Sequence, residues 1–268
     1  AGLYTSSSAI TSISLGNQSG NFAEFSTVSL YGISSNTSTQ NTTAPYATGG
    51  DVITTDGTYW YHAFKYSGTF EPLIGINADV LVVAGGGGNG YGGNGGPGGA
   101  GGLCFQSSRS LTANTSYTCT IGAGGTSGYP TVGQIGTNGG NSVFDTITAN
   151  GGGGGGASAN NGSNGGSGGG GTANPSNGGS ATQGNSGGAT GYGNAGGNGS
   201  SYVGVGGGSG GGGGAGTAGT NGISSSTVET GGNGGKGISG NSSDSVYIAA
   251  LDSMGSATGL GQLSSGHY

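Results

Sequence analysis

The chain has 268 residues, of which 75 are glycine, only 4% are charged, and the formal net charge at pH 7 is -6. Its basic side chains are Lys65, Arg109 and Lys236, which are scattered along the sequence. They cannot build the positive surface that binds nucleic acid or an anionic membrane. Solubility must come from Ser, Thr, Asn and the backbone, a composition typical of an inert extracellular surface rather than of a cytosolic enzyme.

The first part of the chain predicts a few strands followed by a linker. Residues 1–35 alternate loosely between apolar and polar side chains and predict two or three strands, with a turn at residues 17–21. Because so few strands do not stand alone, we interpret them as the end of an upstream β-sandwich, or as strands that dock on the next domain. Residues 36–50 are polar and aperiodic and predict a linker.

The next part predicts most of the strands. Asp56 and Gly57 predict a tight turn between two strands. Residues 80–84 (VLVVA) are apolar on both faces and predict a central buried strand. Residues 103–121 predict a hairpin, and residues 142–149 predict one more strand.

The two cysteines, Cys104 and Cys119, flank the predicted hairpin. Neither has the spacing or the histidine neighbours of a metal site. A disulfide between the two strands and a pair of unbonded core thiols both agree with the sequence.

Residues 151–240 are dominated by glycine, beginning with six consecutive glycines at 151–156, and no large apolar side chain lies between Ile147 and Tyr192. Ordering such backbone costs roughly 1–2 kcal/mol per residue. The segment is either a flexible linker or an array of packed extended helices with three residues per turn, whose close approach requires glycine. Apolar residues between the runs, and repeated Asn-Gly pairs that predict turns, favour the ordered alternative. These pairs begin at Asn161, Asn164, Asn177, Asn221 and Asn233.

Together these patterns predict an all-β chain with little or no helix. A β-rich base at 51–150 carries a layer of packed polyglycine-II helices at 151–240. Residues 241–268 form a tail, for which truncation is one interpretation. A single short helix is predicted there, with Ser243 as its N-cap and Gly255 at its end.

The run from Asp79 to Gly90 (DVLVVAGGGGNG) resembles a dinucleotide-binding turn. That site needs a helix directly after the glycines and an acidic residue ~20 positions further on. Here the glycines run on without helical periodicity, and no acidic residue occurs before Asp145. A phosphate-binding loop is also excluded, since Gly237 follows Lys236.

Enzyme chemistry finds little support in the sequence. The two histidines are His62, which we interpret as a packed strand residue, and His267, near the end of the sequence. A nucleophile, a base and an orienting acid cannot be assembled from recognisable motifs. We expect no catalysis, no cofactor and no metal.

Tyrosines within glycine-rich sequence are the best candidates for a binding role. Tyrosines on loops commonly contact sugars or protein receptors. The alternative is that they cover the ends of the glycine layer or pack on a neighbouring subunit. The four residues are Tyr91, Tyr129, Tyr192 and Tyr202.

Several stretches carry a family resemblance. GGDVITTDGTYWYHAFKYSGTF, ADVLVVAGGGG, GGAGGLCFQSSRSLTANTSYTCTIGAGG and SVFDTITANGGGGGG resemble the glycine-rich domain of tailed-bacteriophage fibre and adhesin proteins, most specifically over residues 49–156. The N-terminal ITSISLGNQSGNFAEFSTVSLYGIS resembles the closing strands of a β-sandwich that often precedes it. The sequence departs from that family at its C-terminus, which lacks a further glycine run and a final apolar strand.

The resemblance implies a β-rich base with packed polyglycine-II helices on the surface of a virion or otherwise outside the cell. It implies host attachment by multivalent, non-covalent binding to a host cell-surface glycan or outer-membrane protein. Other fibre subunits, including copies of the same chain, are expected partners. Alternatives are a purely structural filament subunit, an ice-binding protein and an enzyme; the strict Gly-X-X period of the ice-binding class is absent.

Overall fold

The computed structural model describes residues 44–92, 94–174, 176–202, 205–239, 248 and 250–258. The strands predicted over residues 1–35 lie outside this set, as does the predicted N-cap Ser243. In the described part the chain is nearly all β with one short helix, which confirms the predicted fold class. The elements are β1 Ala47–Thr48, β2 Val52–Thr55, β3 Trp60–Ala63, β4 Gly68–Pro72, β5 Ile76–Val83, β6 Leu103–Leu111, β7 Tyr117–Thr120, β8 Ser142–Phe144, β9 Ile147–Ala149, β10 Thr190–Tyr192, β11 Ser200–Tyr202, β12 Val205–Gly208, β13 Ile223–Ser224, β14 Glu229–Thr230 and α1 Ala250–Thr258.

The strands form antiparallel sheets of different sizes. A five-stranded sheet has the order β1-β4-β7-β8-β9, and a three-stranded sheet has the order β10-β6-β5. The pairs β2-β3, β11-β12 and β13-β14 form separate two-stranded sheets. The β2–β3 hairpin turns at Asp56 and Gly57 as predicted, with Thr55 opposite Trp60.

Small apolar clusters hold these sheets together. One joins Val80, Val82 and Cys104 to Ile147. A second gathers around Phe70, Leu111 and Cys119. Because each cluster is small, side-chain burial accounts for the strands at the base but not for the glycine-rich remainder.

The predicted hairpin at 103–121 is wrong. Strand β6 pairs with β5 along its length and with β10 at Leu103–Phe105, whereas β7 pairs with β4 and β8. The two strands are neighbours in sequence but belong to different sheets, because long-range partners outcompete the local pairing.

Four further predictions, of two strands, a helix and a linker, were wrong in part. The buried strand is β5, but it lies at the edge of its sheet, with Val83 about half exposed. The strand predicted at 142–149 is two short strands around a turn at Asp145, whose φ is 52°. The helix is present but spans Ala250–Thr258, so Gly255 lies inside it rather than at its end. The predicted linker also contains β1, which pairs with β4.

Arg109 ties three parts of the base together. Its guanidinium pairs with the carboxylate of Asp145 and donates to Thr146 Oγ1 at 3.0 Å. It also donates to the Gly187 carbonyl oxygen at 2.9 Å. One planar group thus joins β6 to the β8–β9 turn and to the loop that precedes β10.

The glycine-rich segments are ordered and bonded to one another through the backbone. We call these segments the glycine bundle. It includes segments on both sides of residue 150, so the predicted boundary between base and glycine layer does not separate two bonded units. Its segments are 85–90, 95–102, 122–128, 136–141, 151–156, 162–171, 177–183, 193–199, 207–222 and 231–237.

Segment 151–156 lies at the centre of the glycine bundle and is buried throughout. Its N–H groups point to three neighbouring segments in turn, and residues three apart donate to the same neighbour. This is the period of a polyproline-II-type helix, although the helix type itself stays a prediction. The bonds run from Gly152 to Gly85 O and Gly155 to Gly88 O, from Gly153 to Ser167 O and Gly156 to Gly170 O, and from Gly151 to Asn141 Oδ1 and Gly154 to Asn138 Oδ1.

The close spacing of these segments explains the glycine content. A Cβ atom added at any residue of 151–155 would approach a backbone oxygen of a neighbouring segment more closely than 3.0 Å, a separation that real Cβ atoms essentially never show. At Gly156 it would approach the oxygen of the loop residue Asn160 as closely. The segments therefore pack backbone against backbone, which no other residue type permits.

The five Asn-Gly pairs that were predicted as turns do not form them. Their asparagines lie outside turns and bends and use amide or carbonyl groups to bond an adjacent segment. The bonds are Asn177 N–H to Asn161 Oδ1, Ser180 N–H to Asn164 Oδ1, Asn198 N–H to Asn221 Oδ1, Gly162 N–H to Asn177 O, and Thr220 N–H to Asn233 O. An asparagine side chain reaches about as far as a peptide group, so it replaces a missing backbone acceptor.

Candidate functional site

The glycine bundle has one end at strands β5 to β10 and a far end away from them, where the short strands β11 to β14 lie. Successive segments run out from the strands and back, so the loops that connect them meet at the far end. We call these the distal loops: residues 91–92, 129–134, 157–161, 172–174, 200–202 with 205–206, and 223–230. Segments 85–90, 122–128, 151–156 and 193–199 follow β5, β7, β9 and β10, while segments 95–102 and 136–141 precede β6 and β8.

Direct contacts join the distal loops into one surface. The Ser158 carbonyl oxygen accepts bonds from Thr172 Oγ1 at 2.8 Å and from Asn174 Nδ2 at 3.1 Å. The Ala173 N–H donates to the Asn94 carbonyl oxygen at 3.2 Å. The Gly133 N–H also donates to the Tyr91 carbonyl oxygen at 2.8 Å, so each of these loops has a neighbour that limits its movement.

A cavity of about 220 Å³ opens among these loops. Four glycines line it together with Asn94, Ala173, Ser209, Glu229 and Thr230. Its walls offer one carboxylate and several peptide groups, so it suits a small polar group rather than an apolar ligand.

Tyr91 and Tyr129 come together on this surface. Their rings meet edge to face, with centroids 5.1 Å apart and planes at 88°. Tyr129 is 69% exposed and its neighbour Val132 is 76% exposed. The Tyr91 N–H donates to Gln134 O at 2.9 Å, so the backbone beneath the pair is bonded and the aromatic edge faces solvent.

Tyr202 also lies on the distal loops, apart from that pair. It is in β11, next to the β13–β14 hairpin that exposes Ile223 and Val228. The hairpin closes with a bond from Ser225 N–H to Val228 O at 2.8 Å. Val132, Ile223 and Val228 were not predicted as binding residues, since in the sequence each is only an apolar side chain in a glycine- or serine-rich loop.

Tyr192 lies elsewhere. It is in β10, opposite Leu103 of β6, and packs at the strand end against the cluster that contains Leu103 and Ile238. The structure therefore brings Tyr91 and Tyr129 together and puts Tyr202 on the same surface, but it separates Tyr192 from all three.

The two candidate disulfide residues are both free and buried. Cys104 and Cys119 lie in different clusters and different sheets, so the structure contains the alternative of two unbonded core thiols and not the disulfide. Burial raises the pKa of both thiols, that of Cys119 to about 11. Both are therefore poor nucleophiles.

Three further titratable groups, all in the β2–β3 hairpin, serve the fold. His62 Nδ1 lies 2.7 Å from the Gly49 carbonyl oxygen, and its ring contacts Phe70 edge to face, as expected of a packed strand residue. The Tyr59 N–H, the Tyr61 hydroxyl and the Thr58 N–H hold the pKa of Asp56 below its usual value. Burial, together with Asp56, raises the pKa of Tyr61 to about 12.

Within the part of the chain that the structure describes, no group of three or more His, Cys, Asp or Glu side chains is placed to bind a metal ion. Among the same residues, no helix has the length and hydrophobicity that a membrane crossing requires.

Comparison with known proteins gives one family. A family model described as a glycine-rich domain matches residues 65–266. No curated protein matches the chain. The matched range includes the base strands from β4 onward, the glycine bundle and every distal loop.

Proposed function

The chain belongs to this glycine-rich domain family, and on that premise we propose that it is a virion fibre or appendage protein that attaches to a host surface. The distal loops are the binding surface, and the glycine bundle is the scaffold that displays them. Binding is non-covalent, to a host cell-surface glycan or outer-membrane protein. No catalytic step is involved.

The observation that carries this proposal is the exposure of large apolar side chains on bonded loops. Tyr129, Val132 and Ile223 are each at least 60% exposed, although the loops beneath them are held by hydrogen bonds. Exposed aromatic anchors on ordered loops lose little conformational freedom on binding, which favours affinity. A surface that served only to end a bundle would gain nothing from them.

A second candidate function is a purely structural subunit of a viral or extracellular filament. The β-rich base, whose surface away from the distal loops we call the base end, favours this second function. Four of its large apolar side chains are about half exposed or more: Tyr59, Tyr66, Leu73 and Ile74. Such side chains are suited to burial against another subunit. Both functions can coexist if the base end assembles copies and the distal loops bind the host, since several copies would multiply weak contacts.

Binding to outer-membrane vesicles tests the proposal. We expect the chain to bind vesicles from the host bacterium, and the double variant Tyr129→Ser, Val132→Ser to lose at least about 30-fold in affinity, as for a binding hot spot. Tyr66→Ser removes an equally exposed tyrosine at the base end and is the matched control. Vesicles treated with protease, and purified lipopolysaccharide, separate a protein receptor from a glycan.

The two functions give opposite results. Loss of vesicle binding in the distal variant alone supports attachment. Equal binding of the distal variant and the parent, or failure of the parent to bind vesicles from any bacterium in a broad panel, overturns attachment. In the latter case a lower sedimentation mass for Tyr66→Ser would favour the structural subunit.

A further inference from the structure

The chain contains ten Asn-Gly dipeptides, each a possible site of asparagine conversion. The glycine nitrogen can approach the preceding side chain because no Cβ atom hinders it. To react, however, that nitrogen must turn toward the side chain and lose its proton. A hydrogen bond from the glycine N–H opposes both steps. The ten dipeptides begin at Asn89, Asn94, Asn138, Asn150, Asn161, Asn164, Asn177, Asn198, Asn221 and Asn233.

In nine of the ten, the glycine N–H donates a hydrogen bond within the described part of the chain. Eight of these bonds join different segments of the bundle and its loops, and the one from Gly95 closes a local turn. The acceptors are Gly96 O for Gly90, Gly92 O for Gly95, Gly152 O for Gly139, Asn141 Oδ1 for Gly151, Asn177 O for Gly162, Ser180 O for Gly165, Asn198 Oδ1 for Gly178, Ser176 O for Gly199 and Asn198 O for Gly222.

Gly234 is the exception. Its N–H has no acceptor among the described residues, and both Gly234 and Asn233 are exposed. The Asn233 side chain makes no hydrogen bond there either, since only its backbone bonds to Thr220. An added Cβ at Gly234 would meet nothing nearer than the Gly212 oxygen at 3.9 Å. The reacting nitrogen and the side-chain amide are thus both free and uncrowded.

We propose that Asn233 is the site at which this protein undergoes spontaneous imide formation and conversion to aspartate and isoaspartate. The Gly234 nitrogen bonds to the side-chain carbonyl carbon, the bond from that carbon to the amide nitrogen breaks, and ammonia leaves with the proton from Gly234. Water then opens the cyclic imide at either carbonyl. The products are aspartate, or isoaspartate, in which the main chain runs through the former side chain.

The isoaspartate product would loosen segment 231–237. Gly232 N–H and Gly235 N–H bond Ser209 O and Gly212 O at 2.7 and 2.8 Å, on either side of the modified residue. Isoaspartate adds one carbon to the main chain between these two bonds, so both cannot keep their geometry. Either product also puts a carboxylate where a neutral side chain stood.

Peptide mapping of the full chain tests this inference. After incubation of the folded protein in mildly alkaline buffer, we expect the peptide with Asn233 to gain the mass of an amide-to-acid change. It should convert at least about fivefold faster than any other Asn-Gly peptide, the factor that one net hydrogen bond represents. The denatured chain is the control, and there all ten should convert at comparable rates.

Gly234→Ala is the matched variant, because the added methyl group has room and hinders the cyclisation. We expect it to slow conversion at Asn233 and leave the other nine sites unchanged. The inference is overturned if another Asn-Gly pair converts first in the folded protein, or if Asn233 converts no faster in the parent than in Gly234→Ala.

Discussion

At the residue scale, glycine is selected here by the distance between backbones. Every position of 151–156 has a neighbouring peptide oxygen where a Cβ atom would lie. By contrast, Gly184 has nothing within 4 Å of such an atom. The two kinds of glycine look alike in the sequence, and only the packing separates them.

Gly155→Ala should therefore destabilise the protein strongly. The added methyl group must push segment 95–102 away, and such overpacking costs roughly 1–3 kcal/mol in the free energy of unfolding, to which any broken hydrogen bonds add. The free energy of unfolding of Gly184→Ala should lie within about 0.5 kcal/mol of that of the parent, or above it. Urea unfolding of both variants measures the difference, and equal midpoints would contradict close backbone packing.

At the element scale, the sequence predicted which residues form strands better than it predicted which strands pair with each other. The β2–β3 hairpin was predictable because Asp56 and Gly57 dictate a local turn, and Asp56 also accepts the Thr58 and Tyr59 N–H groups. The pairing of β6 with β5 and β10 was not, because it depends on residues far apart in sequence. On the distal loops, Tyr91, Tyr129 and Tyr202 were predictable as aromatic residues amid glycine, but their grouping was not.

The placement of β7 between β4 and β8 predicts a pH effect on stability. Burial there raises the pKa of Cys119 from 9.0 to about 11. The unfolded chain therefore loses the thiol proton first, so the stabilising contribution is complete below pH 9.0 and declines as the pH rises toward 11. It amounts to about 3 kcal/mol at most.

Denaturant unfolding as a function of pH checks this effect. The free energy of unfolding of the parent should fall between pH 9 and 11. That of Cys119→Ala should fall less over the same range, although it is already lower than the parent's at neutral pH. Equal losses of stability with rising pH in the two proteins would show that the Cys119 thiol does not cause the effect.

At the scale of the whole molecule, the glycine bundle is held by backbone hydrogen bonds where most domains rely on side-chain burial. The central segment 151–156 is buried and fully bonded. It can exchange its amide hydrogens only when several segments separate together.

Hydrogen exchange measures this directly. We expect the amides of 151–156 to exchange as slowly as those of β6, and the exposed amides of the distal loops to exchange faster by orders of magnitude. Free exchange throughout the glycine segments would mean a flexible linker and would remove the scaffold from the proposed function.

The period of three in segment 151–156 restricts how the chain can change in length. Inserting or deleting one residue in a buried segment would turn every later N–H by a third of a revolution, away from its acceptor. Only an insertion or deletion of three residues brings each later N–H back to face an acceptor. The distal loops have no such period of three residues, so insertions of any size can accumulate there while the bundle stays the same.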